Sequence, residues 1–280
     1  MMPCLDLGIR QVQTIDELRK CFCTEHVLEC YFSGRLLEWL KSLKLSGYDC
    51  DNEVRRVYAA KFQYKNVRDI LKELSDIFHV KIPELEDDTL FEDYLTGLNA
   101  YYGEDYEAAE KYLMNAVDEY LESICGAPQY TLGKMYGLQE NYKKALSCFR
   151  EAANQGHAHS CYIVAVALAG GSLSNDVDGF CGINISKAGG LNPQEAGDYF
   201  IKAAEKGHTC GLLFAGMGYL EGEYGIEKDC QMARKYFLQA SEQGNPSAMC
   251  NLIKMLKIGC GGEKNIDEAR KWEKALLLRS

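Results

Sequence analysis

The residues with the clearest potential for metal chemistry form a short cluster near the middle of the chain. His157, His159 and Cys161 fall within about one turn of a helix, and imidazole and thiol groups together are typical zinc ligands. Two later segments carry His208 and Asn245 at the position of His157, so polar residues in a repeated turn explain the cluster more simply. We therefore keep the three residues as candidate metal ligands and predict that the protein needs no cofactor.

Three cysteines near the start of the chain, Cys21, Cys23 and Cys30, could also supply thiolates to a metal ion. They lack the Cys-x-x-Cys spacing of common zinc sites, and cysteines within helices are usually small core residues. The order of residues shows no nucleophile with a neighbouring base, no phosphate-binding loop and no spaced pair of catalytic carboxylates. The sequence therefore predicts a binding protein rather than an enzyme.

A repeated pair of residues indicates which elements carry these side chains. An Asp or Asn stands four residues before an Ala at five places, and successive places are 36, 51, 37 and 36 residues apart. The five pairs are Asp105/Ala109, Asn141/Ala145, Asn192/Ala196, Asp229/Ala233 and Asn265/Ala269. Such a period is typical of helical repeat proteins. Asp and Asn favour helix N-termini because their side-chain oxygens accept hydrogen bonds from unpaired backbone amides.

Each pair starts the second helix of a two-helix repeat. Mostly apolar residues follow the Ala at offsets of three, four and seven, which lie on one helical face. The first helix of each repeat carries a small residue at a fixed place, except in the last copy: Gly97, Gly133, Ala165, Gly216 and then Ile253. We predict an all-α protein, a right-handed superhelix of about five helix pairs over residues 88–280, with an insertion near 171–191 that explains the long step.

The stretch from about 126 to 279 resembles the SEL-one-like repeats (SLR). The fullest copy runs from Gly211 to Gly244 and includes Gly216, Tyr219, Gly222, Gly225, Ile226, Asp229, Ala233, Tyr236 and Ala240. The earlier units have shorter connections and resemble the tetratricopeptide variant of the same helix pair. The resemblance implies a scaffold or adaptor for protein complexes, while the fold alone does not fix the function.

Residues 1–86 do not follow the repeat, and we predict that they form a separate module of four or five short helices. Thr14 and Glu17 have the spacing of a capping box ahead of the first helix. Residues 32–40, with the stretch from Leu71 to Val80, resemble a small helical module that precedes varied domains in bacterial proteins, which would make this protein bacterial. Its simplest role is to cover the first repeat, since the ends of a repeat array need covering.

The charge and composition narrow the choice of partners and location. The formal net charge is −10, and residues 84–280 hold 29 acidic against 18 basic side chains, so we expect no nucleic acid partner. No apolar run is long enough for a membrane span, and the first residues lack a secretory signal. Thirteen cysteines without a secretory signal indicate reduced thiols. We therefore predict a cytoplasmic protein that does not bind membranes.

We predict that a protein or peptide partner binds the concave face formed by the first helices of the repeats. In the repeat families that this chain resembles, residues three before, one after and four after the small residue line that face. The predicted contact residues are Tyr94, Tyr101, Tyr130, Lys134, Tyr162, Met217, Lys254 and Lys257. Tyrosines offer contact area at low entropy cost, and lysines can pair with carboxylates. The alternative is that these tyrosines only pack against neighbouring helices.

A second functional hypothesis is a ligand- or metal-responsive regulatory protein. It would sense through the insertion at 171–191 and the neighbouring cluster of His157, His159 and Cys161. The insertion is long for a connection inside a compact array, and long loops are often functional.

The last helix differs from the earlier ones in a way that predicts the end of the array. Glu273 replaces an aromatic residue of the internal copies, and an unpaired charge is costly in a core between repeats. We expect no further repeat to stack there. Leu276, Leu277 and Leu278 could support weak self-association through this helix.

Overall fold

The computed structural model describes residues 5–7, 11–82, 85, 91–119, 126–171 and 191–277, and its regular structure is almost all helical. The α-helices within these ranges are α1 (Ile15–Lys20), α2 (Thr24–Phe32), α3 (Arg35–Leu45), α4 (Asp51–Gln63), α5 (Val67–Phe78), α6 (Glu92–Tyr102), α7 (Tyr106–Glu119), α8 (Ala127–Leu138), α9 (Tyr142–Asn154), α10 (Ala158–Leu168), α11 (Pro193–Glu205), α12 (Thr209–Glu221), α13 (Cys230–Glu242), α14 (Pro246–Ile258) and α15 (Ile266–Leu277). Two short strands, β1 (Leu5–Asp6) and β2 (Gln11–Val12), pair with each other. The all-α prediction is confirmed.

The chain folds as two compact units that divide inside α8. The N-terminal unit comprises mainly residues 12–135, and the C-terminal unit comprises mainly residues 136–277. The predicted boundary between 1–86 and 88–280 falls on residues outside the described ranges, so that domain division stays a prediction. In the N-terminal unit, α1–α5 and the first helices of the repeat region enclose a core in which Phe78, Leu36 and Tyr94 are fully buried.

The start of α1 follows the predicted capping pattern. The Thr14 hydroxyl accepts a hydrogen bond from the Glu17 amide at 3.1 Å. The Glu17 carboxylate reaches back to the Gln13 amide at 2.7 Å, one residue before the cap. Two otherwise unpaired amides are thereby satisfied at the helix end.

The five second helices of the repeats are α7, α9, α11, α13 and α15, and each begins as predicted. A side-chain oxygen of the preceding Asp or Asn accepts a hydrogen bond from a first-turn amide in every copy, at Asp105, Asn141, Asn192, Asp229 and Asn265. The Ala that follows four residues later is fully buried in all five copies. The predicted starts of the five second helices are therefore confirmed.

The small residues of the first helices allow close helix contact within a pair. A Cβ atom added at Gly97 would lie 2.7 Å from the Leu113 side chain, and one added at Gly216 would lie 2.9 Å from the Phe237 ring. Both distances are shorter than carbon atoms tolerate, so a larger residue at Gly97 or Gly216 would displace the facing side chain or the paired helix. This explains the glycine in the repeat pattern as a packing requirement.

The predicted insertion lies mostly outside the described residues, which resume at Leu191. Helix α10 precedes the insertion. After the insertion, the Asn192 amide donates a hydrogen bond to the Leu168 carbonyl at 3.0 Å. Helices α10 and α11 therefore pack as a pair despite the 51-residue step.

Candidate functional site

A buried ion pair in the N-terminal unit joins the first helical module to the repeats. Lys134 of α8 donates from Nζ to Oε2 of Glu29 in α2 at 2.8 Å, and the two side chains are only 11% and 15% exposed. Arg35 approaches the other oxygen of Glu29 at 3.9 Å. Burial favours a neutral amine, but the facing Glu29 carboxylate and the neighbouring tyrosines together outweigh burial and raise the pKa of Lys134. Lys134 is therefore a buried, charged residue.

Aromatic rings surround this ammonium group. The Lys134 Nζ atom lies 5.7 Å from the centre of the Tyr101 ring and 5.6 Å from that of Tyr130, distances at which ring faces attract cations. Both rings are buried, and burial raises the pKa of the Tyr130 hydroxyl because the phenolate would be desolvated. The tyrosines thus help to stabilise a buried charge in this structure.

Next to the ion pair, the first turn of α2 brings together a thiol, a carboxylate and an imidazole. The Cys23 Sγ atom lies 2.9 Å from Oε2 of Glu25 and 3.0 Å from Nδ1 of His26. Tyr94 of α6 donates its hydroxyl to Oε1 of Glu25 at 2.6 Å, and the His26 ring stacks on Tyr130. Burial lowers the pKa of His26 to about 4, so the imidazole is neutral at pH 7.

A pair of histidines lies at the centre of the C-terminal unit. His208 accepts the Gly211 amide at Nδ1, so its proton is on Nε2, which lies 2.9 Å from Nδ1 of His159. Both rings are buried, and Tyr162 stacks on His208 with ring centres 4.7 Å apart. This arrangement fixes neutral tautomers and connects α10 to the start of α12.

The helix starts explain the histidines of the predicted metal cluster. His157 accepts the Ser160 amide at Nδ1, as His208 accepts Gly211, so both imidazoles cap a first helix. Cys161 contacts the Ala153 carbonyl, and burial raises its pKa to about 11, which keeps the thiol protonated. His157, His159 and Cys161 do not converge on a common point, and within the described ranges the residues that do form a ligand-like group are Cys23, Glu25 and His26.

The repeats identified by these contacts match a known family. The Sel1 repeat family model matches residues 129–157, 180–208, 212–245 and 246–272. The chain contains Sel1 repeats. The second match begins in the insertion and ends after α11, so α10 falls outside it and the insertion displaces this repeat from the usual pattern. The resemblance inferred from the residues is confirmed.

Two curated relatives share about half of this chain. Cytochrome c oxidase assembly factor 7 of Xenopus tropicalis is 31% identical over 148 residues, which are 50% of this chain and 58% of that protein. The exopolysaccharide production negative regulator of Rhizobium meliloti (strain 1021) is 31% identical over 135 residues, 46% of this chain and 47% of that protein. The chain therefore spans less than two thirds of either relative.

A solved structure supports the fold. The Sel1 repeat protein from Oxalobacter formigenes superposes with a TM-score of 0.53 at 20% identity, over 76% of this chain and 81% of that one. Sel1 repeat proteins generally mediate protein–protein interactions and are typically scaffolds rather than enzymes. None of the helices in the described ranges combines the length and the apolar character needed to cross a membrane.

The structure places most of the predicted contact residues inside the protein. The buried members of the set are Tyr94, Tyr101, Tyr130, Lys134 and Tyr162. Their side chains pack between helices or hold the buried charge, as in the packing alternative. Met217 is half-buried, whereas Lys254 and Lys257 are exposed. Partner binding by this set of residues stays a prediction.

The exposure of the predicted face increases along the C-terminal unit. The equivalent positions are Tyr162 and Val166 in α10, which are buried; Leu213, Met217 and Leu220 in α12, which are half-buried; and Cys250, Lys254 and Lys257 in α14, which are exposed. Of the two lysines, Lys257 pairs with Glu273 of α15 at 2.5 Å. The accessible part of the face is therefore formed by the last two Sel1 repeats.

Sequence reasoning missed the acidic residues of α2. Glu25 and Glu29 stand four residues apart, on the same side of a helix whose remaining residues are almost all buried. Two carboxylates within such an apolar helix indicate that cations or hydrogen-bond donors of other elements contact this helix. Their partners, Tyr94 and Lys134, lie 69 and 105 residues away.

Proposed function

We propose that this protein is a scaffold that binds a protein or peptide segment on the first-helix face of α12 and α14. The observation that carries the proposal is the exposure of this face, where Leu213 and Met217 are half-buried and Lys254 is exposed. Equivalent positions of successive repeats lie side by side in a stacked array. A bound segment would thus contact both helices.

The residues of this face define the chemistry of the partner. Half-buried Leu213, Met217 and Leu220 repeat at the spacing of one helical stripe and would accept apolar side chains. Lys254, exposed one turn from Lys257, would meet a carboxylate. A partner carboxylate would have to compete with Glu273 for Lys257, so Lys254 is the principal charged contact. We therefore expect a segment with apolar residues followed by acidic ones.

Capture of partners from native cell extract tests the proposal. The test variant combines Met217→Glu with Lys254→Glu, which places charge on the apolar stripe and reverses the charge of the lysine. Lys235→Glu is the matched control, because Lys235 is also exposed but lies on the second helix α13. Partners that bind this face should be lost from the test variant and retained by the control.

Quantitative binding then completes the test. For a captured partner segment, we expect the test variant to bind at least about tenfold more weakly, a difference of about 1.4 kcal/mol. Circular dichroism checks that both variants keep the helical fold. Equal binding by the wild type and the test variant, with the fold intact, would place the partner site elsewhere on the chain.

The regulatory alternative remains open as a hypothesis about the insertion. Residues 172–190 lie outside the described ranges, and His157 and His159 next to them serve as helix cap and core residue. Deletion of residues 173–189 tests this role. Loss of a ligand or metal response in the deletion variant, with partner binding retained, would favour the regulator.

A cytoplasmic location, and the absence of nucleic acid and membrane partners, belong to the same proposal. The formal net charge of −10 supports it, because phosphate backbones and anionic lipid surfaces both repel an acidic protein. Fractionation of the source cells would contradict the location if the protein copurified with membranes after a high-salt wash.

A further inference from the structure

Three metal-ligand atoms of different chemistry meet at the first turn of α2. Sγ of Cys23, a carboxylate oxygen of Glu25 and a ring nitrogen of His26 all lie within 4.8 Å of one another. Cys23 is the N-cap residue of α2, and the other two residues follow in its first turn. Because one short segment supplies all three ligand atoms, the start of the helix brings them together, and the Tyr94 hydroxyl of α6 holds the Glu25 carboxylate.

The charge balance around Glu25 favours a cation at this place. Glu25 is 9% exposed, and within the described ranges it has no ion pair, whereas Glu29 one turn later pairs with Lys134. The Tyr94 hydroxyl satisfies Oε1, which leaves Oε2 directed at Cys23. A buried carboxylate is costly unless a positive charge compensates it. A metal ion between Oε2 and the Cys23 sulfur would supply that charge.

The ligand types select the class of metal. A thiolate, an imidazole and a carboxylate are the three side chains that bind zinc, and three protein ligands leave a fourth position for water or another donor. Calcium and magnesium are disfavoured, since they prefer oxygen ligands alone. Cys23 is half-exposed, so an ion can enter from solvent although Glu25 and His26 are buried.

Two electrostatic effects oppose each other at the helix start. The N-terminus of α2 carries a partial positive charge of about half a unit, which disfavours a cation. Once a metal ion replaces the thiol proton, the Cys23 thiolate and the Glu25 carboxylate together bring two negative charges. The ligand charges therefore exceed the opposing charge of the helix.

We propose that Cys23, Glu25 and His26 form a binding site for a divalent transition metal of the zinc class, with Tyr94 as the residue that orients Glu25. Binding would release the proton of the Cys23 thiol to solvent. The site lies in the N-terminal unit and is independent of the partner face on α12 and α14. It also differs from the cluster of His157, His159 and Cys161.

Zinc titration of the purified full chain tests the site. The chain is stripped with a chelator under reducing conditions, and zinc is added in competition with a chromophoric chelator. We expect stoichiometric binding that Cys23→Ser and His26→Gln abolish. Tyr94→Phe keeps all three ligands and should weaken binding about 10–100-fold, as loss of a supporting hydrogen bond does in other metal sites. Cys230→Ser is the control, because Cys230 is an exposed thiol of the other unit.

Protection of the thiol provides a readout that needs no variant. The wild-type chain is alkylated with and without zinc, and the modified cysteines are identified by mass spectrometry. Protection of Cys23 supports the site, as does a thiolate-to-cobalt charge-transfer band when cobalt replaces zinc. Absence of stoichiometric binding, unchanged binding by Cys23→Ser, loss of binding in Cys230→Ser, or zinc protection of other cysteines while Cys23 reacts would each overturn the proposal.

Discussion

Replacing Lys134 by methionine tests whether the buried ion pair stabilises the N-terminal unit. Methionine keeps most of the length and apolar volume of the lysine stem, but it leaves the Glu29 carboxylate, whose side chain is 15% exposed, without its main partner. Breaking one side of a buried pair typically costs about 3–5 kcal/mol, because the remaining charge stays desolvated. Arg35 lies 3.9 Å from Glu29 and can compensate in part, so we expect about 3 kcal/mol.

The loss should be visible in urea unfolding followed by tryptophan fluorescence. Trp39 is buried in the N-terminal unit, and a Trp272→Phe background removes the signal of the C-terminal unit. With a slope of about 2 kcal/mol per molar urea, the midpoint should fall by about 1.5 M. The double variant Glu29→Gln/Lys134→Met should be more stable than Lys134→Met alone, since it no longer buries an unpaired charge.

An exposed ion pair of the same unit provides the matched control. Lys44 pairs with Asp51, but these side chains are 53% and 52% exposed, and exposed pairs contribute at most about 1 kcal/mol. Lys44→Met should therefore shift the midpoint little. If Lys134→Met costs no more than Lys44→Met, or if the double variant is the least stable, burial of the Lys134 charge is not the source of stability.

Three further predictions concern the C-terminal unit. Ala203→Leu should cost about 1–3 kcal/mol by overpacking, because a Cβ at Gly211 would already lie 2.7 Å from the Ala203 Cβ; an unchanged melting temperature would contradict the proposed repeat register. The Arg150 guanidinium lowers the pKa of Glu195, with which it forms a hydrogen bond. A carboxylate whose pKa is lower in the folded than in the unfolded state stabilises the fold at pH values above its unfolded-state pKa. This stabilisation is lost as the pH falls through the folded-state pKa. The wild type should therefore be more stable than Arg150→Met at pH 7, by at most about 1 kcal/mol because the pair is partly exposed. This difference should vanish in acid. Urea unfolding that gives the same difference at pH 7 and in acid would contradict the prediction. Leu277 is 75% exposed, so we expect Leu277→Glu to decrease weak self-association. Analytical sedimentation that shows only a wild-type monomer at high concentration would exclude self-association.

The helix pairs were predictable because the signals that define them are local. An Asp or Asn cap acts on amides two or three residues away, and the Ala four residues later lies on the face that the helix must bury. All five caps and all five alanines are therefore found where the spacing places them. The role of His157 was predictable for the same reason, because the residues at its position in later repeats, His208 and Asn245, are also helix caps.

The candidate sites were less predictable because burial depends on distant segments. The repeat offset placed Lys134 and Tyr130 on the predicted concave face. In the structure, Glu29 and His26 of α2 contact them from the N-terminal module. The residue pattern within α8 does not predict that the helix formed by residues 24–32 packs against it.

The all-α repeat, the helix starts and the small residues at the helix contacts follow from local sequence patterns, because each depends on residues within one or two turns. Which members of the predicted face remain accessible depends on the packing of the helices, which places Lys134 in a buried ion pair and Lys254 on the surface. It also placed Tyr94 beside Glu25, across 69 residues. The physical reason is desolvation, since whether a charge or an aromatic ring is covered depends on the packing of the whole unit and not on its own helix.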